Sequence, residues 1–403
     1  MTLPVTTRPA VAGATVVANP LAGPPPLWSP YGRGPVEFHR RLPGYEVTPL
    51  ISAPALAQRL GVGRLLIKTE TARFGLPAFK MLGASWASYR ALVERLGQEP
   101  AAWANITELS GRLQRLRPFS LAAATDGNHG RAVARMARWL GFGAHIFVPE
   151  GTAVARIQAI SDEGASVTVV RGDYEDAVAR SAEEAGSRCL VISDTGWPGY
   201  EMVPRWVIEG YSTMFWEVDD RLEASATPAP DVVVVPVGVG ALAAATVNHW
   251  GRKNSPPAIA GVEPLDANCV MQSALAGRPV VVPGPHLSVM AGLNCGTPSP
   301  VAWPLVSAGL STLIAVDDEM ARQAVRDLAA IGVAAGETGA AALAGLSALP
   351  AWPAKGNALA PEGTGGRPLT GATVLPAATV LVVCTEGPTD PAEWRRTLGI
   401  ELI

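Results

Sequence analysis

Short apolar, β-branched runs recur along this chain. Several are closed by Gly or Pro, and they alternate with Ala/Arg/Glu-rich segments of helical period. The runs are Arg64–Lys68, His145–Val148, Val167–Val170, Leu190–Ser193, Val232–Pro236, Ile259–Glu263 and Thr379–Cys384. Runs of four to six apolar residues without polar alternation predict strands buried on both faces. Strand and helix in alternation predict a doubly wound α/β protein. A length of 403 residues fits two domains, or one large domain with an elaborated second lobe. Three segments read as irregular: roughly the first 35 residues, rich in Pro and Ala; Ser255–Pro257; and the Gly/Pro-rich stretch Lys355–Thr373, expected as a surface loop.

Composition narrows the classes of function. Hydrophobic residues make up 48% and charged residues 17%, which suits a large core and not a disordered chain. A net charge of -3 gives no electrostatic reason to expect nucleic acid or an acidic membrane as partner. The first 26 residues carry one charge, Arg8, and are broken by Pro9, Pro20 and Pro24–Pro26, so no signal peptide is expected. The most apolar stretch, Val232–Val247, is interrupted by Pro236, Gly238 and Gly240. It is too short for a bilayer, which takes about 20 residues. A cytoplasmic protein is therefore expected. Cys189, Cys269, Cys295 and Cys384 do not form a disulfide framework, and Cys269 and Cys295 are expected to stay reduced. No CxxC or HExxH spacing is present, so no metal is expected.

Four constellations carry chemistry. The first is Ile67–Gly83, in which a strand ends near Lys68 and a Gly/Pro loop delivers Lys80 to a helix start. Phe79, Met81 and Leu82 give Lys80 an apolar collar, which favours a neutral, nucleophilic amine. Taken alone, a lysine here is more often simply exposed. The second is Ala124-Thr-Asp-Gly-Asn-His-Gly130 before an amphipathic helix, Arg131–Leu140. Backbone N–H groups at such a junction suit a carboxylate, and an Asn side chain there donates to a phenolate oxygen. An ordinary capped turn gives the same pattern. The third is Val237-Gly-Val-Gly-Ala-Leu-Ala243, a glycine turn that lets backbone close on a phosphate. It also satisfies G-x-G-x-x-A, and Glu263 ends a later strand, so a dinucleotide site competes. The fourth is Leu381-Val-Val-Cys-Thr-Glu-Gly387, where Cys384 or Thr385 offers a neutral partner to a heterocyclic nitrogen. A buried strand end with a small apolar Cys looks the same.

In this order the four constellations resemble the fold-type II pyridoxal-phosphate (PLP) enzymes, and within them most nearly the diaminopropionate ammonia-lyases. The resemblance is carried by Arg73-Phe-Gly-Leu-Pro-Ala-Phe-Lys80, Thr125-Asp-Gly-Asn-His-Gly130, Asp194-Thr-Gly-Trp-Pro-Gly-Tyr200, Val237-Gly-Val-Gly-Ala241, Val262-Glu-Pro264, Met290-Ala-Gly-Leu-Asn-Cys-Gly296, Gly336-Glu-Thr-Gly-Ala340 and Cys384-Thr-Glu-Gly387. It extends from about residue 30 to the C-terminus, and it favours PLP over a dinucleotide. It implies two doubly wound α/β domains, the smaller inserted in the larger. Residues 1–90 and 221–403 would form the large PLP-binding domain; residues 91–220 would form a small mobile domain with the asparagine loop.

The resemblance also implies roles by position. Lys80 resembles the Schiff-base lysine, and Asn128 the residue bonded to the PLP 3′ oxygen. Gly238, Val239, Gly240 and Ala241 resemble the phosphate loop. Cys384, with Thr385 as second choice, resembles the partner of the pyridine nitrogen. Phe79 and Glu337 complete the cofactor set. Thr125, Asp126, Gly127 and His129 are the implied substrate-binding residues, and Lys80, Asp126 and Asp194 the catalytic ones. Asp126 stands where many dehydratase and racemase relatives have serine. The implied reaction is α,β-elimination of D- or L-2,3-diaminopropionate to pyruvate and ammonia. Lys80 and Asp126 would serve opposite faces, and the two aspartates would bind the β-ammonium. Pro198, Met202 and His286-Leu-Ser-Val depart from the family pattern. The alternatives are a PLP dehydratase or β-replacement enzyme on another β-substituted amino acid, and a non-catalytic PLP-binding protein. A homodimer with each active site inside one subunit is expected.

Overall fold

The computed structural model describes residues 11–125, 127–349, 369–370, 373–374 and 377–400. In chain order these form β1 (Ala14–Ala18), α1 (Gly34–His39), β2 (Leu50–Ser52), α2 (Pro54–Leu60), β3 (Arg64–Thr69), α3 (Lys80–Leu96), α4 (Ile106–Arg112), β4 (Ser120–Ala124), α5 (Asn128–Leu140), β5 (Gly143–Pro149), α6 (Val154–Ser161), β6 (Ser166–Val170), α7 (Tyr174–Ala182), β7 (Cys189–Val191) and α8 (Met202–Ala224). The chain continues through β8 (Val232–Pro236), α9 (Ala241–Trp250), β9 (Ala258–Pro264), α10 (Cys269–Ala276), α11 (Trp303–Gly309), β10 (Thr312–Val316), α12 (Asp318–Ala330) and α13 (Glu337–Ala348). It closes with β11 (Leu369–Thr370), β12 (Thr373–Val374), β13 (Thr379–Cys384) and α14 (Pro391–Leu398).

Two compact units share the chain. One takes Met1–Pro30, Thr48–Thr71 and Glu217–Ile403; the other takes Tyr31–Val47 and Ala72–Trp216. This division differs from the expected boundaries at 90 and 220. Helix α3 packs against α5, so the segment that begins with Lys80 groups with the second unit and not with the first.

The first unit is built on a seven-stranded sheet in the order β1-β10-β9-β8-β13-β3-β2. Its five central strands run parallel, and β1 and β2 flank them antiparallel. Every residue of β8 and β9 is buried, as their unbroken apolar runs require. Strand β1 lies inside the stretch expected to be irregular. It pairs with β10 from Ala14↔Val316 to Ala18↔Thr312, a long-range partner that local composition does not reveal. The expected loop Lys355–Thr373 lies outside the described residues, apart from parts of the β11–β12 pair.

The second unit is built on a fully parallel four-stranded sheet, β6-β5-β4-β7. Strand β4 is Ser-Leu-Ala-Ala-Ala, whose intrinsic preference is helical. Burial between β5 and β7 overrides that preference. Strand β6 is an edge and is partly exposed, so the Val167–Val170 run is not buried on both faces.

Helix α3 enters this unit through a close approach. A Cβ on Gly83 would lie 2.5 Å from Tyr211 Cε1 and 2.7 Å from Val207 Cγ1 on α8. The rings of Phe79 and Tyr211 meet with centroids 4.7 Å apart. His39 braces the same turn, with Nδ1 2.8 Å from Thr213 Oγ1 and Nε2 2.9 Å from the Leu82 carbonyl. Among the described residues no helix is long and apolar enough to cross a membrane.

The Gly83 contact makes α3 intolerant of even one added carbon. A Gly83→Ala variant is expected to lose about 1–3 kcal/mol of unfolding free energy through overpacking. Urea unfolding followed by fluorescence checks this, and an unchanged midpoint would contradict the tight approach.

Candidate active site

In the second unit the loop before Lys80 is a tight hairpin. Arg73 and Leu76 exchange both backbone hydrogen bonds, at 2.7 and 2.9 Å. Phe74 and Gly75 between them have φ of 55° and 70°. Positive φ at both central positions is a type I′ turn, and glycine fits the second without strain. Arg73 is buried and donates to the Glu46 carbonyl at 2.9 Å, which fixes the hairpin. Lys80 is then the first residue of α3.

The asparagine loop follows β4. Gly127 has φ +152° and donates its N–H to Thr125 Oγ1 at 2.9 Å, so the Thr125 hydroxyl braces the turn itself. Asn128 opens α5. His129 is 2% exposed, and its Nε2 lies 2.7 Å from the Ile192 carbonyl. A carbonyl only accepts, so Nε2 carries the hydrogen. His129 thus braces α5 to the end of β7 through Nε2. Asp126 lies outside the described residues.

Strand β7 is the neighbour of β4, so the residues after both strands leave the same edge of the sheet. That edge is where parallel α/β sheets bind ligands. Asp194 sits just beyond β7. Its Oδ2 accepts from Lys80 Nζ at 2.7 Å, and its Oδ1 accepts from the Tyr174 hydroxyl at 2.9 Å. Burial alone would raise the Asp194 carboxyl. The Lys80 ammonium, the His129 ring and the Tyr174 hydroxyl outweigh it and hold the carboxyl well below the usual carboxylate range.

Lys80 also stands out among the lysines. The chain has four: Lys68, Lys80, Lys253 and Lys355. Lys68 is buried, donating to Glu217 at 2.6 Å and to the Thr48 carbonyl at 2.8 Å. Lys253 pairs with Asp219 at the surface, and Lys355 lies outside the described residues. The Lys80 side chain is 20% exposed, desolvated yet reachable.

In the first unit the glycine loop joins β8 to α9. A Cβ on Gly238 would press on Cys295 Sγ at 3.2 Å and the Gly292 carbonyl at 3.3 Å. Gly240 has φ +97°, a backbone that side chains rarely adopt. Strand β13 pairs directly with β8, so Cys384 and the glycine loop leave the same edge. Glycines 336 and 339 at the start of α13 let it pack against the 386–387 backbone. Thr385 Oγ1 donates to the Thr338 carbonyl at 3.4 Å, and Thr338 Oγ1 accepts from Gly292 N at 3.1 Å. Burial pushes the Cys384 thiol up, and the Glu386 and Glu70 carboxylates add to it, so Cys384 stays a neutral thiol.

Two carboxyls nearby have partners within the fold. Glu337 Oε1 accepts from Thr397 Oγ1 at 3.0 Å, which ties its carboxyl to α14. Both oxygens of Glu263 are occupied by the first turn of α10, from Val270 N at 2.7 Å and Met271 N at 2.8 Å. The acidic group that a dinucleotide would need for its ribose is a helix cap instead. All four cysteines are free thiols, and Cys269 and Cys295 both lie at Gly238. Among the described residues no group of three His, Cys, Asp or Glu is placed to hold a metal ion. Tyr174 is the residue that the sequence did not reveal. It comes from the start of α7, and no motif marks it.

The chain resembles known proteins along most of its length. The profile of the family described as "Pyridoxal-phosphate dependent enzyme" matches residues 41–359. A diaminopropionate ammonia-lyase of Salmonella typhimurium strain LT2 is 37% identical over 308 residues, 74% of this chain and 76% of that protein. The Escherichia coli K12 protein of the same name is 34% identical over 373 residues, 90% of this chain and 89% of its own. The crystal structure of holo diaminopropionate ammonia lyase from Escherichia coli superposes with a TM-score of 0.82 at 29% identity, over 98% of each chain. A further structure of that enzyme, in complex with an aminoacrylate-PLP azomethine reaction intermediate, gives 0.81 at 28% identity over 98% of this chain and 97% of its own.

Glu263 generates a pH prediction. Burial outweighs its two backbone hydrogen bonds and raises its carboxyl from 4.5 to about 8. Between those values the folded state holds a proton that the unfolded state has lost. The stability this contributes is complete below pH 4.5 and is lost as the pH rises through 8. Glu263→Gln keeps an acceptor for the cap without the charge. Its thermal midpoint is expected to fall less than that of the unsubstituted protein between about pH 6 and about pH 9. Equal falls would contradict the assignment.

Proposed function

The chain belongs to the pyridoxal-phosphate-dependent enzyme family, and from that premise we propose that it removes the β-amino group of 2,3-diaminopropionate, yielding pyruvate and ammonia. The observation that carries this reading is the Lys80–Asp194 pair, a reachable amine backed by a buried carboxylate at a sheet edge that also bears the asparagine loop. The names of the Salmonella and Escherichia coli relatives support the substrate.

The residues present fit PLP. Gly238 and Gly240 leave backbone unobstructed at the first turn of α9, where a phosphate would gain N–H donors and the helix dipole. The neutral Cys384 thiol, with Thr385 as second choice, is a partner for an unprotonated ring nitrogen. Lys80 would hold the aldehyde carbon, Asn128 the 3′ oxygen and Gly238–Ala241 the phosphate. When bound, PLP supplies an electron sink for the pair left at the substrate α-carbon.

The chain's own groups do the rest. Backbone at the start of α5, around Thr125, Gly127 and Asn128, would take the α-carboxylate. Lys80, once free as an amine, accepts the α-proton of one enantiomer, and Asp194 stabilises the ammonium that forms. Asp126 is read as the base for the other enantiomer. Asp126 and Asp194 together bind the β-ammonium before it departs as ammonia. The remaining enamine hydrolyses to pyruvate and a second ammonia. The same reading takes the protein as a cytoplasmic homodimer, which sedimentation of the holoenzyme tests.

A panel of D- and L-2,3-diaminopropionate, serine, threonine and chloroalanine tests the reaction. Both diaminopropionate enantiomers are expected to give pyruvate with two ammonia each, and Asp126→Asn to lose the D reaction far more than the L. Turnover confined to serine or threonine, with one ammonia per ketoacid, would make the protein a dehydratase.

A further inference from the structure

Asp194 is held from two sides. The turn that follows it, Asp194–Tyr200, is closed by a stacked pair, Trp197 and Tyr200, with ring centroids 4.0 Å apart and planes 8° apart. The Tyr200 hydroxyl donates to the Val191 carbonyl at 2.6 Å and accepts from Ser193 N at 3.1 Å. Thr195 N donates to Ser193 Oγ at 3.2 Å. These bonds fix the backbone on either side of Asp194. The carboxyl group is fixed separately, by the Tyr174 hydroxyl on Oδ1. Tyr174 is itself set by a capping box, in which Asp176 N donates to Asp173 Oδ1 at 3.1 Å and Asp173 N to Asp176 Oδ2 at 3.0 Å.

The groups that face Asp194 from the elements around it are Lys80 on α3, His129 on α5, Tyr174 on α7, Tyr200 in the turn and Tyr211 on α8. Lys80 and the His129 ring both hold the carboxyl down through space. Tyr174 differs from both, because it donates to the carboxylate without charge. A carboxylate that already accepts one hydrogen bond attracts a second proton less strongly. An ammonium beside a bare carboxylate is held hardest, yet Lys80 must lose a proton before it can attack an aldehyde.

We propose that Tyr174 is a positioning residue for the Lys80–Asp194 pair, holding Oδ1 so that Oδ2 meets the amine and easing the loss of the Lys80 proton. This rests on the reading of Lys80 as the PLP-holding lysine. The step it eases is capture of PLP by the apoprotein. Lys80 first loses one proton to solvent. Its lone pair then forms the C–N bond to the aldehyde carbon, and the aldehyde oxygen leaves as water with the two remaining amine protons. No oxidant or further reactant is needed.

The test measures the rate at which apoprotein gains its visible band after PLP is added, as a function of pH. Tyr174→Phe removes only the hydroxyl, and the midpoint of its capture profile is expected about one pH unit above that of the unsubstituted protein. Tyr200→Phe loosens the turn without touching the carboxyl group. It is expected to lower the thermal midpoint and leave the capture profile in place. An unshifted Tyr174→Phe profile would overturn the proposal, and so would an equal shift in Tyr200→Phe. Lys80→Ala separates the two levels of the account. If it still gains the band, the reading of Lys80 fails. If it gains none while Tyr174→Phe titrates like the unsubstituted protein, only the role of Tyr174 falls.

Discussion

Lys80 and Asp194 are 114 residues apart in the chain, and their side chains meet at 2.7 Å. A carboxylate as buried as Asp194 is costly without a counter-charge. The second unit is arranged so that it has one. The type I′ hairpin at Phe74–Gly75 aims the chain at the start of α3, and the absent side chain of Gly83 lets α3 lie close to α8. The adjacency of β4 and β7 puts the asparagine loop and Asp194 at one edge, with His129 tying them together. Each feature is a requirement of the one pair. If any slips, a buried charge is stranded.

On the proposed reading, the first unit would meet a different need, that of approaching a phosphate and a ring without charge. Its contribution is absence: no Cβ at Gly238 and Gly240, and no ionised sulfur at Cys384. The fingerprint G-x-G-x-x-A left a dinucleotide open because the turn serves either ligand. The acidic side chain decided it. Glu263 caps α10 through both oxygens, so the group that would hold a ribose is already committed to backbone.

Much of the fold was legible because it depends on local runs. Val232–Pro236 and Thr379–Cys384 match β8 and β13 residue for residue, since an apolar run ended by a turn leaves few alternatives. The remainder depends on partners far along the chain. β1 exists because β10 offers it an edge, and β4 is a strand despite its alanines because β5 and β7 bury it. The site divides in the same way. Lys80 and Asn128 stand in recognisable motifs. His129 lies in one too, yet its position in the motif did not tell that its Nε2 would meet the Ile192 carbonyl. Tyr174 has no motif, because its role exists only where α7 passes Asp194. The type of chemistry was thus easier to read than the apparatus that holds it in place.

The central claim is that Lys80 is the residue that holds PLP. With only four lysines in the chain, it has a direct test. Reduction of the holoenzyme with borohydride fixes the cofactor to its lysine, and mass spectrometry of the digested protein then locates it. The account predicts a single pyridoxyl group, on Lys80, in the peptide that follows Arg73-Phe-Gly-Leu-Pro-Ala-Phe. A label on Lys68, Lys253 or Lys355, or none at all, would contradict it.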